Sequence, residues 1–372
     1  MDLTHEDSLR LNVLLHQEPE AIRIDESKMR VYGLSPKGEA KIQLNPNCRD
    51  EQYIKKVKEA ISSHVLGSPG GYPIFLRRWT RMGQARDDSL ERLLRLGEPE
   101  AVVAVVHAPG LTDELARRAW WAMPDSANAR CMLANQRVVQ GTMGKVLAEF
   151  LLEFLPFEED PRAVIESVRL VLQPGLISEA ERLSLWSRGQ RKNVFLVGFL
   201  KTTPDDLPEQ GAAHPEYAVF AERLRDLAEQ GQPVARQLLR VLGPAGQVFL
   251  KTTATVMKKP SNQDVVVALL EAVEDYFAPV RFSAPASQAV TELVDQAQQC
   301  CRDTRFPPVA EVLERCPEAA ALISAMLCLG WCGVPVVNPV FARTDAIGTV
   351  MRRKLEPVST PMLEQLNVLT GK

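Results

Sequence analysis

The residues best suited to chemistry lie near the C-terminus. Cys300 and Cys301 are adjacent, Cys316 follows, and Cys328 and Cys332 stand one helical turn apart. A cysteine that accepts or relays sulfane sulfur must be reachable and must be held as its thiolate by a positive neighbour. Cys301, beside Arg302 and Arg305, is the first candidate for that role. Cys328 and Cys332 are the second, although they sit in a run with no charged side chain. The competing reading makes all of them small hydrophobes in packed helices. A closed metal site wants four ligands. No histidine follows Trp331, and His5, His16, His64, His107 and His214 have no carboxylate or cysteine at ligand spacing. Neither a metal nor any other cofactor is expected.

A second candidate is the glycine-rich stretch HVLGSPGGYPIFLRRWTRMGQ at 64–84. Gly67, Gly70 and Gly71 have the freedom to form a backbone nest for an anion, and Pro73 would open a helix carrying Arg77, Arg78 and Arg81. Gly70, Gly71, Arg77 and Arg78 would then form an anion-binding or partner-binding face. The stretch lacks the Gly-Lys-Ser/Thr of a Walker A loop and the G-x-G-x-x-G of a dinucleotide fold. The favoured reading is a tight turn into a helix that buries Leu76 and Trp79 and leaves its arginines in water. No G-x-S-x-G, H-E-x-x-H or kinase set is present. Glu158, Glu159 and Asp160 precede a helix start, where capping accounts for them. These residues favour a protein without catalytic activity.

Such groups need elements to hold them. Between Glu20 and Leu44, Ile22 and Ile24 alternate with Arg23 and Asp25, Val31 with Arg30 and Tyr32, and Ile42 with Lys41 and Gln43. That period of two predicts a three-stranded meander, with Ser35-Pro36-Lys37-Gly38 as its second turn. A helix is expected from about Arg49 to His64. From about residue 87 the period becomes helical. Met143, Val146, Leu147, Phe150, Leu151, Phe154 and Leu155 form one stripe. Asp160-Pro161 starts the next helix, Thr112 caps an earlier one, and Ser261 with Asp264 resembles a capping box. The fold class is therefore mainly α: an irregular array of helical hairpins, HEAT-like around 93–123, behind a small N-terminal antiparallel sheet. The expected organisation is an α+β region at 1–86, a helical block at 87–202, a linker at 203–216 and a second helical block at 217–372.

The uncharged run between Glu318 and Arg343 passes the length test for a membrane span. Gly330, Gly333, Pro335 and Pro339 break its second half. Roughly 13 residues of helix, from Ala319 to Trp331, reach about 20 Å, short of the roughly 30 Å hydrocarbon core. A buried helix is expected there, and no transmembrane segment. The net charge of −3 gives no global field for nucleic acid or acidic lipid. The small clusters Arg188/Arg191/Lys192 and Arg352/Arg353/Lys354 leave RNA open, but no aromatic-interleaved module accompanies them. Seven cysteines, an odd number, and an acidic first segment without an export signal fit a reducing cytoplasm.

Longer phrases carry a resemblance. RIDESKMRVYGLSPKGEAKIQLNPNCRDEQY, the 64–84 stretch, HAPGLTDELARRAWWAMP, LLEFLPFEEDPR and LVLQPGLISEAERLSLWSRGQRKN cover roughly residues 20 to 200. They resemble the DsrS family, soluble proteins encoded with the dissimilatory sulfite reductase (Dsr) system of sulfur-oxidising bacteria. The resemblance implies a cytoplasmic location, a part in sulfur oxidation, and partners within that machinery. It supplies no catalytic residues. A sirohaem–iron–sulfur reductase would show C-x5-C followed by C-x3-C. Here only the second has a counterpart, Cys328 to Cys332, so the chain is not the reductase itself. Two functions follow: an interaction protein assisting that machinery, or a thiol protein relaying sulfane sulfur.

If the 64–84 stretch is a turn and a solvated face, Arg77→Ala and Arg78→Ala will each change stability by no more than about 0.5 kcal/mol. Urea denaturation checks this. A larger loss would place those arginines in a packed role.

Overall fold

The computed structural model describes residues 2–67, 87–282, 289–303, 306–343 and 346–371. Gly70, Gly71, Arg77, Arg78 and Arg305 lie outside the described residues. The architecture is mainly α, with one three-stranded antiparallel sheet in the order β1-β2-β3. Two compact units divide the chain, Met1–Pro156 and Phe157–Lys372.

The first unit opens with α1 (His5–His16), capped by the Thr4 side chain. Strands β1 (Ala21–Asp25), β2 (Arg30–Ser35) and β3 (Gly38–Gln43) form the expected meander. Ile22 faces Gly33 and Val31 faces Ile42 across the sheet. Ser35 pairs with Gly38, so Pro36 and Lys37 form a two-residue turn, and Gly38 takes a φ of 121° that side chains rarely adopt. Helix α2 (Asp50–Leu66) ends at Gly67, whose φ of 70° closes it. It buries Tyr53, Ile54, Val57 and Ile61 against Leu11, Leu14 and Leu15 of α1 and the inner face of the sheet. One charged group joins this core. Asp7, 1% exposed, accepts hydrogen bonds from Tyr53 Oη at 2.5 Å and Asn45 N at 2.7 Å.

Helices α3 (Asp87–Leu94), α4 (Pro99–Val106), α5 (Asp113–Ala122), α6 (Ser126–Leu133), α7 (Gln136–Val139) and α8 (Thr142–Phe154) complete this unit. Thr112 caps α5 as expected. The cap of α8 comes from far away in sequence. The Asp113 carboxylate accepts from Thr142 N, Thr142 Oγ1 and Met143 N at 2.8 to 3.0 Å. A Cβ on Gly141 would lie 2.2 Å from that carboxylate, so only glycine fits. The stripe on α8 is narrower than its periodicity predicts. Met143, Leu147, Leu151 and Leu155 are buried with Gly144 and Ala148, while Val146 is 43% exposed. The buried face follows the i, i+4 ridge, and Val146 lies on its far side.

The second unit begins with α9 (Pro161–Val171), capped by Asp160, and α10 (Glu179–Gly189), which carries a full Ser178/Glu181 capping box. Then follow α11 (Val194–Thr202), α12 (Tyr217–Glu229), α13 (Pro233–Leu242), α14 (Pro244–Lys258) and α15 (Gln263–Phe277). Asn262, not Ser261, caps α15: its side chain accepts from Val265 N, and Asp264 pairs instead with Arg162. Residues 203–216 run within this unit. Asp205 pairs with Arg240 at 2.7 Å, Asp206 with Arg182 at 2.9 Å, and His214 N donates to Leu242 O at 2.8 Å.

The remaining helices are α16 (Val290–Arg302), α17 (Pro307–Arg315), α18 (Ala320–Trp331), α19 (Asn338–Phe341) and α20 (Gly348–Thr370). Every residue of α18 from Leu322 to Trp331 is buried. Among the described residues no helix is long and apolar enough to cross a membrane.

Close helix crossings depend on small residues. A Cβ on Gly198 of α11 would sit 2.6 Å from Val168 Cγ1 and 3.2 Å from Ile165 O of α9. Gly198→Ala should therefore destabilise the protein by about 1–3 kcal/mol in urea denaturation. Val146→Ala should cost no more than about 0.5 kcal/mol. Equal effects would refute this account of the crossing.

Candidate functional site

The three candidate thiols do not converge. Cys301 lies in the last turn of α16, half-buried, and its Sγ donates to Ala320 O at 3.6 Å, at the start of α18. Cys328 is eight residues farther along α18, about 12 Å by helical rise. Burial, and then the neighbouring Cys300, pushes the Cys301 thiol up to about 11. Arg302 is exposed and does not offset this. Cys328 and Cys332 are both fully buried. A hydrogen bond with Cys328, reinforced by burial, holds the Cys332 thiol well above its ordinary range. Cys300 is raised by burial and Asp303, and Cys316 by burial and Glu318 against the opposing pull of Arg223. Cys131 is raised by burial and donates to Val106 O. Among the described residues no three histidine, cysteine or carboxylate groups come together as metal ligands.

Among the described residues, concave regions also occur in both units. The first unit has a cleft of about 400 Å3 lined by Leu15, Glu18, Ile22, His64, Arg92 and Arg95, among others. His16, His64 and Arg92 are the basic residues in the last turns of α1, α2 and α3. The negative end of α3 accounts for the cationic Arg92 there. His16 Nδ1 lies 2.8 Å from Asn12 O of its own helix. The cleft is a meeting of helix ends.

The second unit has a groove of about 640 Å3 between α16, the 334–341 segment and α20. Val290, Val336 and Val358 line it from buried positions, and Pro339, Val340, Pro357 and Pro361 extend its apolar surface. Glu356 and Glu364 stand at its edge with Thr291 and Thr360. The α20 helix forms one wall. Met351, Leu355, Met362, Leu366 and Leu369 are buried, and the helix packs on α14 and α18. Two prolines lie inside the helix, one turn apart: Pro357 is exposed and Pro361 is buried. Proline has no N–H, so the carbonyls of Arg353 and Pro357 lose their i+4 donors. The groove wall thus combines apolar side chains with the Glu356 and Glu364 carboxylates. Among the described residues no thiol, histidine, lysine or arginine lines it.

Sequence reading missed this groove. Two prolines in KLEPVSTPMLEQL disguise a continuous helix, and three separated segments build the walls. The sequence signal that was present is the pairing of Glu356 with Pro357 and Glu364 with Pro361, which places acids and prolines on neighbouring faces.

A thiol with a pKa of about 11 is ionised at pH 8 to about one part in a thousand. Iodoacetamide should therefore modify Cys301 in the folded protein on the order of a hundredfold more slowly than in urea, with the rate rising up to about pH 11. Site-resolved mass spectrometry gives the rates, and rapid modification of Cys301 at neutral pH would contradict this assignment. Comparisons with protein-family models, curated proteins and solved structures returned no match, so the function rests on the chemistry of these surfaces.

Proposed function

We propose that this chain is a non-catalytic cytoplasmic accessory protein of a Dsr-type sulfur-oxidation pathway, acting by binding proteins of that machinery. The groove beside α20 supports the reading: it offers apolar surface edged by two carboxylates, Glu356 and Glu364, and among the described residues no thiol or histidine lines it. The pathway assignment is supported by the resemblance of the phrases between residues 20 and 200 to the DsrS family. A relay of sulfane sulfur needs a reachable thiolate. Cys301 is held protonated by burial, and Cys328 and Cys332 are sealed inside the second unit, so the thiols give that alternative little support.

The test is recovery of the tagged full chain from cells grown with and without sulfur, followed by quantitative mass spectrometry. Enzymes of sulfur oxidation are expected to co-purify in the sulfur-grown sample, and to the same extent with Cys301→Ser. No enrichment over an untagged control would refute the accessory role. A sulfur adduct on Cys301, with partners lost in Cys301→Ser, would establish the relay instead.

A further inference from the structure

We infer that the groove between α16, the 334–341 segment and α20 binds a basic amphipathic helix of a partner protein. This deepens the interaction reading and rests on it. Pro339, Val340 and Pro357 leave apolar surface open in the groove above the buried Val290, Val336 and Val358, and covering that surface favours a ligand with apolar side chains. The charged groups that line it are all of one sign. Glu356 and Glu364 are acceptors only, and among the described residues neither has an ion-pair partner. The carbonyl of Pro357, left without its i+4 donor by Pro361, is an acceptor too. Among the described residues no lysine or arginine lines the groove, and the Thr291 and Thr360 hydroxyls there carry no charge. Cationic donors must therefore arrive with the ligand to match the two carboxylates.

Spacing narrows the class further. Glu356 and Glu364 are eight residues apart on one helix, about 12 Å along its axis. A docked helix lying beside α20 matches that interval with lysines or arginines about two turns apart, while leucine-like residues between them enter the groove. An acidic or uncharged segment would leave the carboxylates without partners, and a strongly acidic one would be repelled. Because the pairs sit at a solvent-exposed edge, the electrostatic part should weaken with salt.

The experiment uses the full chain and a fluorescein-labelled peptide of leucine and lysine, about 14 residues long, close to four helical turns. Its counterpart replaces every lysine with glutamate. Anisotropy should show binding of the lysine peptide only, weaker at high salt. The double variant Glu356→Lys/Glu364→Lys should reduce that affinity roughly tenfold or more and gain affinity for the glutamate peptide. Val340→Asp should remove binding of the lysine peptide while the melting temperature stays near that of the wild type. Equal binding of both peptides, no binding of either, or indifference to the charge reversal would overturn the inference. So would a dimer in light scattering that Val340→Asp dissociates, because the groove would then hold a second copy. Cellular recovery of the double variant separates the two levels. Full retention of the wild-type partners refutes the groove as their site and leaves the accessory role intact. A wild-type chain with no partners refutes the role itself, whatever the peptides do.

Discussion

Burial of α18 is the constraint on which the second unit depends. A helix with no charged residue cannot present a face to water without leaving leucine, isoleucine or methionine exposed. It must therefore be enclosed, and α15, α16 and α20 pack around it. Leu322, Ile323, Met326, Leu327 and Leu329 are all buried, and at about 1.5–3 kcal/mol each they contribute on the order of 10 kcal/mol of transfer free energy. Chain entropy opposes most of that sum. The enclosure nonetheless fixes where α16 and α20 run, and both of them line the groove.

The same enclosure decides the chemistry of the thiols. Cysteines at helical spacing in an uncharged segment look alike whether they are reactive or merely small. Desolvation separates the cases, because it penalises the thiolate and leaves the thiol untouched. Cys328 and Cys332 lie in α18 and at its end, so the force that makes the helix a core also removes them from solvent. Cys301 lies where α16 reaches the start of α18, and enough of it is covered for burial to dominate. An adjacent arginine in sequence does not reverse this, because successive side chains on a helix point about a quarter-turn or more apart.

Local pattern and tertiary context divide the legible from the illegible along a physical line. The meander, α2, α9 and the burial of α18 could be read directly, because period-two alternation, one-sided stripes and an absence of charge are each sufficient to set the local structure. Asp160 could be read as a cap because its partners are two residues away. The cap of α8 was hidden because Asp113 reaches it across 29 residues. Ser261 and Asn262 are both competent caps, and the choice depends on which one precedes the first helical turn. Val146 fits the stripe by spacing but not by packing, since the neighbours of α8 cover a narrower arc than its apolar residues span. The groove was the least legible feature. Each of its walls is ordinary alone, and only their convergence makes a site.

The composition of α20 supports a role for its outer face beyond folding. Proline inside a helix removes a hydrogen bond and costs about 3 kcal/mol relative to alanine in a helix interior. This helix carries two of them, one turn apart, and stays helical because Met351, Leu355, Met362, Leu366 and Leu369 anchor its buried side. Tertiary packing overrides the local preference. Of the two prolines, Pro361 is buried, whereas Pro357 is exposed beside Glu356 and contributes little to the core. A polar residue with an N–H at that position would satisfy the carbonyl of Arg353 and favour the helix. The proline instead stands next to Glu356 on the groove wall, at an exposed position that adds nothing to the core. Stability alone does not call for that arrangement, whereas the proposed partner helix would.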